Sequence, residues 1–236
     1  MKILALDTSS NVASVAVVTE DKLLGDFTLN LSKTHSQKLM PIVDGLLSNL
    51  ELGISDLDGI AVSAGPGSFT GLRIGVTAAK SFAQPLDLPV IPVSTIEAMA
   101  WNLPGFDGLV CPIMDARRGQ VYTGVYQWNQ GKMEAVLEDQ AILLVDLLDW
   151  LKENTQEAVC FLGDGIPKFT QEVLEGLPGQ AVIAPVSHGV QRASSVGALA
   201  LTKWDQRQSY LEVDADYLRK SEAERNLDAK RQAAKE

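Results

Sequence analysis

Short apolar runs alternate with polar turns at the start of the chain. Lys2–Asp7, Val12–Val18 and Leu23–Leu29 are each rich enough in apolar residues for a strand, and Glu20-Asp21-Lys22 separates the last two. Apolar runs bounded by such turns are typical of β-strands. We therefore expect three strands here, and the first of them ends on the carboxylate of Asp7.

The spacing of apolar residues changes after Ser36. Between Ser36 and Leu50 they recur at intervals of three and four, which predicts an amphipathic helix that Gly53 closes. A buried strand, Gly59–Ala64, then runs into a glycine-rich segment. A second helix is predicted from about Thr70 to Gln84, because Pro85 lies just beyond that point.

The first lobe is predicted to end shortly after a third helix. Val90–Val93 predicts another strand, and Ser94-Thr95-Ile96-Glu97 has the capping-box spacing of a helix start. Pro104-Gly105 and Asp107-Gly108 follow as turn signals. We place the domain boundary there, which gives an N-terminal lobe of residues 1–104 and a C-terminal lobe of residues 105–236 that includes the polar C-terminal tail.

The second half partly repeats the first. Leu109–Met114 predicts a strand that ends near Asp115, and Glu222–Glu236 has almost no apolar face, which predicts a frayed helix or polar tail. The other predicted elements are strands Val121–Trp128 and Ala158–Leu162 and helices Leu144–Lys152, Phe169–Leu177 and Ala193–Arg207. Two halves that each open with a strand ending in Asp suggest a duplicated α/β core with a largely parallel sheet.

Composition narrows the function. The net charge of −10 argues against a protein that grips RNA alone, since phosphate neutralisation needs a basic surface. No apolar run approaches the ~20 residues that span a bilayer, and the short apolar start lacks a signal-peptide cleavage site. We expect a cytoplasmic protein without membrane contact, whose two cysteines are buried and unpaired.

Two segments are candidate ligand sites. Asp7-Thr8-Ser9-Ser10 follows the first strand, where ligands gather in open α/β sheets, although Asp and Ser side chains that bond their own backbone form the same pattern. Gly65-Pro66-Gly67-Ser68-Phe69-Thr70-Gly71 permits close backbone approach, but its spacing is that of neither a dinucleotide fingerprint nor a phosphate loop.

The helix after the glycine-rich segment carries small residues at spacings of three and four: Gly71, Gly75, Ala78, Ala79 and Ala83. Such a face lets another helix approach closely, either inside the domain or on a second protein.

His35 lacks a metal partner one turn on, where Leu39 stands, so a zinc hydrolase is not indicated.

Five segments in order resemble the TsaB (YeaZ) family over nearly the whole chain. The most specific is Ser63-Ala64-Gly65-Pro66-Gly67-Ser68-Phe69-Thr70-Gly71-Leu72-Arg73-Ile74-Gly75. The others are Ile3-Leu4-Ala5-Leu6-Asp7-Thr8-Ser9, His35-Ser36, Asp115-Ala116-Arg117-Arg118-Gly119-Gln120-Val121-Tyr122 and Tyr217-Leu218-Arg219.

The resemblance implies the fold of actin, sugar kinases and heat-shock ATPases, with two related lobes that each contain a five-stranded mixed sheet and flanking helices. It implies a non-catalytic subunit that supports TsaD, with TsaE, in transferring a threonylcarbamoyl group to N6 of adenosine 37 in tRNAs reading codons that begin with A. ATP and a divalent metal would serve the assembled complex, and this chain alone would need no cofactor. Contacts to tRNA would be made mainly by the partners, and the isolated chain would form a homodimer.

The resemblance also implies two sets of residues. The partner or dimer interface would comprise Leu39, Ile42, Val43, Leu46, Gly71, Leu72, Ile74, Gly75, Ala78, Ala79 and Phe82. The remnant of a nucleotide cleft would comprise Asp7, Thr8, Ser9, Ser10, Asp115, Gly163, Asp164 and Gly165, with no catalytic residue and no metal ligand.

Two other functions stay open at this stage. A stand-alone ATP-dependent kinase or phosphatase of the same fold would use Asp7 and Asp115 at equivalent strand ends. A peptidase is disfavoured, because the metal ligands such an enzyme needs are missing from the sequence.

Overall fold

Ten strands form two five-stranded sheets in the computed structural model, which describes residues 1–30 and 35–218. The strands of the first sheet are β1 (Lys2–Asp7), β2 (Val12–Thr19), β3 (Leu23–Asn30), β4 (Gly59–Gly65) and β5 (Val90–Ser94). Those of the second are β6 (Leu109–Asp115), β7 (Gln120–Asn129), β8 (Lys132–Leu143), β9 (Val159–Leu162) and β10 (Ala181–Ile183). The predicted tail Glu222–Glu236 lies outside the described residues.

The two sheets have the same topology. Their orders are β3-β2-β1-β4-β5 and β8-β7-β6-β9-β10. In each, three consecutive strands pair antiparallel and two further strands add in parallel. The prediction of a largely parallel sheet from helix and strand alternation was wrong, because each lobe begins with two hairpins. The duplicated, mixed arrangement implied by the family resemblance is the observed one.

Within the described part of the chain, six α-helices cover the sheets: α1 (His35–Asn49), α2 (Phe69–Ala83), α3 (Thr95–Ala100), α4 (Leu144–Asn154), α5 (Ile166–Gly176) and α6 (Ala193–Thr202). The predicted elements match them closely, except that α6 stops at Thr202 and a short turn, Trp204–Gln206, replaces its expected end. The predicted start of α3 at Ser94 is confirmed as an N-cap, since Ser94 Oγ accepts a hydrogen bond from Glu97 N at 3.1 Å, while the Glu97 carboxylate accepts one from Lys203 Nζ.

Two strands, β8 and β10, were not predicted from the sequence. β8 contains Met, Glu, Ala and Leu, which favour helices, yet it pairs with β7 along most of its length. Pairing with a neighbouring strand outweighs local propensity at such an edge position. β10 has three residues, too few for a periodic pattern.

Two helices cross between the lobes. α1 and α2 cover one face of the first sheet, and α4 and α5 cover the matching face of the second. The opposite face of the first sheet is covered by α6, whose Val196 and Leu199 pack on Ile3 and Val18. α3 lies on the second sheet instead, where Ile96 packs near other buried residues of β6 and β7.

This crossing bears on the domain organisation. The change of sheet falls between residues 100 and 109, near the predicted boundary, but α6 belongs by packing to the first lobe. The division into residues 1–104 and 105–236 therefore stays a prediction. Within the part of the chain that the structure describes, no helix is both long and apolar enough to cross a membrane.

Candidate functional site

A cavity of about 590 Å³ opens between the two lobes. The β1–β2 turn and the glycine-rich segment before α2 form one wall, and the β6–β7 turn and the loop after β9 form the other. Residues 208–218, named here the C-terminal segment, border it through Tyr217 and Leu218. The cavity thus brings together the two segments that the sequence marks as remnants of a nucleotide cleft.

Asp7 lies at the end of β1 beneath this cavity and is 1% exposed. Its Oδ1 accepts hydrogen bonds from Ser9 N at 2.9 Å and Ser9 Oγ at 2.7 Å, and its Oδ2 accepts one from Ser63 Oγ at 2.6 Å. The carboxylate therefore holds the turn after β1 closed and ties β1 to β4. Ser63 was not predicted to take part; its place on the neighbouring parallel strand was the available signal.

The start of α2 packs directly on the same turn. Ser9 O accepts a hydrogen bond from Ser68 N at 2.6 Å, and Thr8 Oγ1 donates one to Gly71 O at 2.7 Å. A Cβ at Gly71 would collide with Thr8 O, and one at Gly75 would lie 2.6 Å from Thr8 Oγ1. These glycines permit a close approach within the lobe, so the small-residue face of α2 points largely inward.

The second-lobe wall is more open. Asp115 ends β6 as Asp7 ends β1, but its carboxylate is exposed. Each of its two oxygens accepts a hydrogen bond from Lys168 Nζ at 2.9 Å. Its Oδ1 also accepts one from Arg117 N at 2.8 Å. Arg117 and Arg118 have φ angles of 65° and 56°, in the left-handed region that few non-glycine residues adopt. Lys168, in the first turn of α5, was not predicted to take part in the site.

Gly163-Asp164-Gly165 forms the floor of the second-lobe wall. A side chain at Gly163 would collide with Ile113 O, and its φ of 107° favours glycine. The carboxyl of Asp164 reaches solvent but lies between the lobes, and this desolvation raises its pKa to about 6. The negative charges of Asp115 and Asp7 contribute to the same rise in pKa.

The cleft offers little to a metal-bound nucleotide. Such a ligand needs an accessible carboxylate and free backbone N–H groups in the first turn, whereas Asp7 is buried and Ser9 N is engaged by it. Among residues 1–30 and 35–218, no group of three His, Cys, Asp or Glu side chains is placed to hold a metal ion. The first turn of this cleft, at Asp7 and Ser9, therefore does not fit this group.

The predicted interface divides into two parts. Seven of its residues are buried within the chain: Leu39, Val43, Leu46, Gly71, Leu72, Gly75 and Ala79. Four are only partly buried: Ile42, Ile74, Ala78 and Phe82. The buried seven pack within the chain, so a partner that docks on this structure would touch the four outer residues, and the interface itself stays a prediction.

The outer members on α2 lie on one flank of that helix. Ile74, Ala78 and Phe82 repeat at four-residue intervals, so they form a single stripe. The opposite flank is taken by the C-terminal segment, to which Lys80 Nζ donates a 3.2 Å hydrogen bond at Asp214. The stripe therefore lies on the flank away from that segment, and we name it the α2 stripe. On the neighbouring α1, Met40 is 53% exposed and was not among the predicted interface residues.

The C-terminal segment completes the first lobe. Arg73 Nε donates a 3.2 Å hydrogen bond to Tyr217 Oη, and the Tyr217 ring lies 4.6 Å from that of Phe69. Val90 and Gln208 exchange two backbone hydrogen bonds, at 2.9 and 2.8 Å, so the segment adds to β5 at the edge of the first sheet, and Asp216 N donates to Ala64 O at 2.7 Å.

Comparison with known proteins decides the family. The family model described as TsaD: tRNA N6-adenosine threonylcarbamoyltransferase matches residues 29–226. A Bacillus subtilis protein named tRNA threonylcarbamoyladenosine biosynthesis protein TsaB is 41% identical over 224 residues, which cover 95% of this chain and 96% of that one. The chain belongs to the TsaB family.

Solved structures agree with the TsaB fold. YeaZ from Pseudomonas aeruginosa has a TM-score of 0.75 at 27% identity, and the match covers 92% of this TsaB chain and 99% of that chain. A ROK hexokinase from Thermus thermophilus has a TM-score of 0.50 at 10% identity over 87% and 100% of the two chains, which concerns the fold alone. The predicted fold class of actin, sugar kinases and heat-shock ATPases is confirmed.

Proposed function

We propose that this TsaB chain is a non-catalytic activating subunit that binds and supports TsaD, with TsaE, in the synthesis of threonylcarbamoyladenosine at adenosine 37 of tRNA. The names of the family model and of the Bacillus subtilis relative come from this modification. ATP and a divalent metal then act in the assembled complex and are not required by this chain alone. Its net charge of −10 favours tRNA contacts made mainly by the partners.

The observation that carries the proposal is the uncharged α2 stripe. Ile74, Ala78 and Phe82 remain partly exposed beside α1, on which Met40 is also exposed. Exposed apolar side chains that adjoin one another mark protein interaction surfaces more often than isolated ones do. Helices with small residues between larger apolar ones can approach a partner helix closely.

The state of Asp7 supports a role without catalysis. A carboxylate that assists phosphoryl transfer must reach a metal ion or a nucleophile. Asp7 is buried and already accepts three hydrogen bonds from Ser9 and Ser63. The kinase or phosphatase alternative would be favoured only if isothermal calorimetry found tight Mg-ATP binding that Asp7→Ala abolishes.

The proposal is tested by reconstitution. TsaD, TsaE, tRNA and the activated threonylcarbamoyl donor are incubated with and without this chain, and modified adenosine is quantified by mass spectrometry. We expect product only when the chain is present, and none from the chain alone. Full modification in its absence would reject the proposal.

Ala78→Arg tests the surface itself. A charged side chain in the middle of the α2 stripe should weaken TsaD binding at least about tenfold, because an interface core tolerates an unpaired charge poorly. Gln171→Arg, on the exposed face of α5, adds the same charge elsewhere and should leave binding unchanged. Gly75→Leu is unsuitable, since its Cβ would strike Thr8 and disturb the fold.

Binding is measured by size-exclusion co-elution and biolayer interferometry, with circular dichroism to establish folding. Equal TsaD affinity for the two arginine variants would remove the α2 stripe from the proposal. We expect the same surface to form the homodimer of the isolated chain. Ala78→Arg should therefore lower the molar mass of the isolated chain in light scattering towards that of a monomer.

A further inference from the structure

One partly buried carboxylate joins the two lobes. Asp139 lies on β8 of the second sheet, and its Oδ2 accepts a hydrogen bond from Ser94 Oγ. Its Oδ1 accepts another from Tyr126 Oη on β7. Because Ser94 is the last residue of β5 in the first sheet, the bond to Ser94 crosses from one lobe to the other.

The strand pairing is adapted to this carboxylate. The register of β7 and β8 shifts between Thr123 and Val125, which pair with Gln140 and Leu137, so β8 gains one residue beside Asp139. Bulges of this kind turn a side chain away from its regular direction. Gly124 leaves the necessary room, since a Cβ there would lie 2.6 Å from Asp139 Oδ1.

Burial makes the position energetically demanding. It raises the pKa of the Asp139 carboxyl, against the effect of the two hydroxyl donors, and the charges of Glu97 and Glu138 raise the pKa further. A buried carboxylate is costly unless hydrogen bonds satisfy it. Both of its oxygens are so satisfied, by Ser94 and Tyr126.

The bond to Ser94 acts on the helix through which the chain passes between lobes. Ser94 caps the start of α3, as its Oγ also accepts from Glu97 N at 3.1 Å. At the other end of α3, the Asn102 amide donates to His188 O at 3.0 Å and Val190 O at 2.7 Å. Its oxygen accepts from Ser195 Oγ at 2.6 Å, which ties that end to α6. Both ends of the crossing helix are therefore held.

We propose that Asp139 is a positioning residue that locks the two lobes at one fixed opening. Lobes joined by short crossings are expected to move relative to one another unless an interface restrains them. The Asp139–Ser94 bond completes that restraint, together with the packing of α3 on the second sheet and the bond between Asn102 and α6, so the chain presents α1, α2 and the cleft as one rigid body. This inference concerns the free chain and does not rest on the proposed partner.

Distance measurement between the lobes tests the lock. Ser55→Cys on the first lobe and Glu153→Cys on α4 are exposed positions for spin labels, while the native Cys111 and Cys160 are buried. Double electron–electron resonance should give a narrow distance distribution for the labelled parent. Asp139→Ala should widen that distribution at least about twofold, because the end of β5 then loses its direct bond to β8.

Three further variants separate the lock from general destabilisation. Asp139→Asn keeps one acceptor and gains a donor, so it should retain the narrow distribution. Ser94→Ala removes the bond between lobes together with the cap of α3, whereas Ser68→Ala removes the corresponding cap of α2 alone. We expect Ser94→Ala to widen the distribution and Ser68→Ala to leave it unchanged.

Two results would overturn the proposal. The first is a folded Asp139→Ala variant whose inter-lobe distance distribution is as narrow as that of the parent. If Asp139→Ala does not fold, the same result in Ser94→Ala would overturn the proposal. The other is equal widening in Ser94→Ala and Ser68→Ala, which would assign the effect to helix capping.

Discussion

The two lobes use the same strand end in different ways. β1 and β6 occupy the same place in sheets of identical order, and each ends on an aspartate. In the first lobe, Asp7 is buried and α2 packs on the turn that follows. In the second, Asp115 is exposed and binds Lys168. The difference teaches that an equivalent topological position does not preserve a binding site once a helix packs onto it.

The close packing of α2 in the first lobe predicts the largest effect. Gly71→Ala should lower the free energy of unfolding by at least about 3 kcal/mol, because the new Cβ would collide with a backbone oxygen that cannot rotate away. Gly45→Ala is the matched helix control, since its Cβ would meet only Phe27 at 3.7 Å. That control should be neutral or stabilising by up to about 1 kcal/mol.

Urea unfolding followed by circular dichroism measures both glycine variants. If Gly71→Ala and Gly45→Ala have the same free energy of unfolding, the turn after β1 can move to make room for the new Cβ on α2. That result would contradict the contrast between a tightly packed strand end in the first lobe and an open one in the second.

The two strand-end aspartates predict the next effect. Asp7→Ala leaves the hydroxyl of Ser63 and the turn at Ser9 without their acceptor, which should cost about 2–3 kcal/mol. Asp115→Ala breaks an exposed ion pair and should change stability by less than about 1 kcal/mol. Chemical denaturation of the two variants in one buffer gives the comparison, and equal losses would contradict it.

Asp164 predicts the smallest effect, a dependence on pH. Its folded pKa of about 6 lies above the ordinary aspartate pKa of 3.8, so the folded state holds the proton more tightly than the unfolded state does. Its contribution to stability is therefore present below pH 4 and falls as the pH rises to about 6. Asp164→Asn should raise the Tm relative to the parent at pH 7.5 and not at pH 4.

Asp149→Asn, which breaks a surface pair with Lys152, controls for the loss of one carboxylate. Thermal scans at the two pH values provide the measurement. A Tm difference between Asp164→Asn and the parent that is the same at both values would show that desolvation of Asp164 is unimportant.

Sequence patterns predicted the elements well where burial is periodic. α1, α2 and β4 have the expected limits within one or two residues, because their apolar repeat is set by the face they bury. β8 was missed because its composition favours a helix and its pairing with β7 overrides that preference. Asp139, which lies on that strand, was missed with it.

The sites were harder to predict than the elements. Both segments of the predicted cleft set border one cavity, yet the sequence could not distinguish the buried Asp7 from the exposed Asp115, as each ends a strand. The docking set mixed inward and outward positions on α2. Small residues at three- and four-residue spacing indicate a close approach, but they do not identify what approaches.

The sequence by itself determined the family, the duplicated α/β plan and the glycine-rich segment that most clearly marks it. Local spacing and residue type are sufficient for these, since they act within one element or one motif. Only the tertiary structure decided which face of α2 is free, that α3 and α6 exchange lobes, and that Asp139 meets Ser94. These depend on contacts between residues far apart in the chain, such as Thr8 with Gly71 and Ser94 with Asp139.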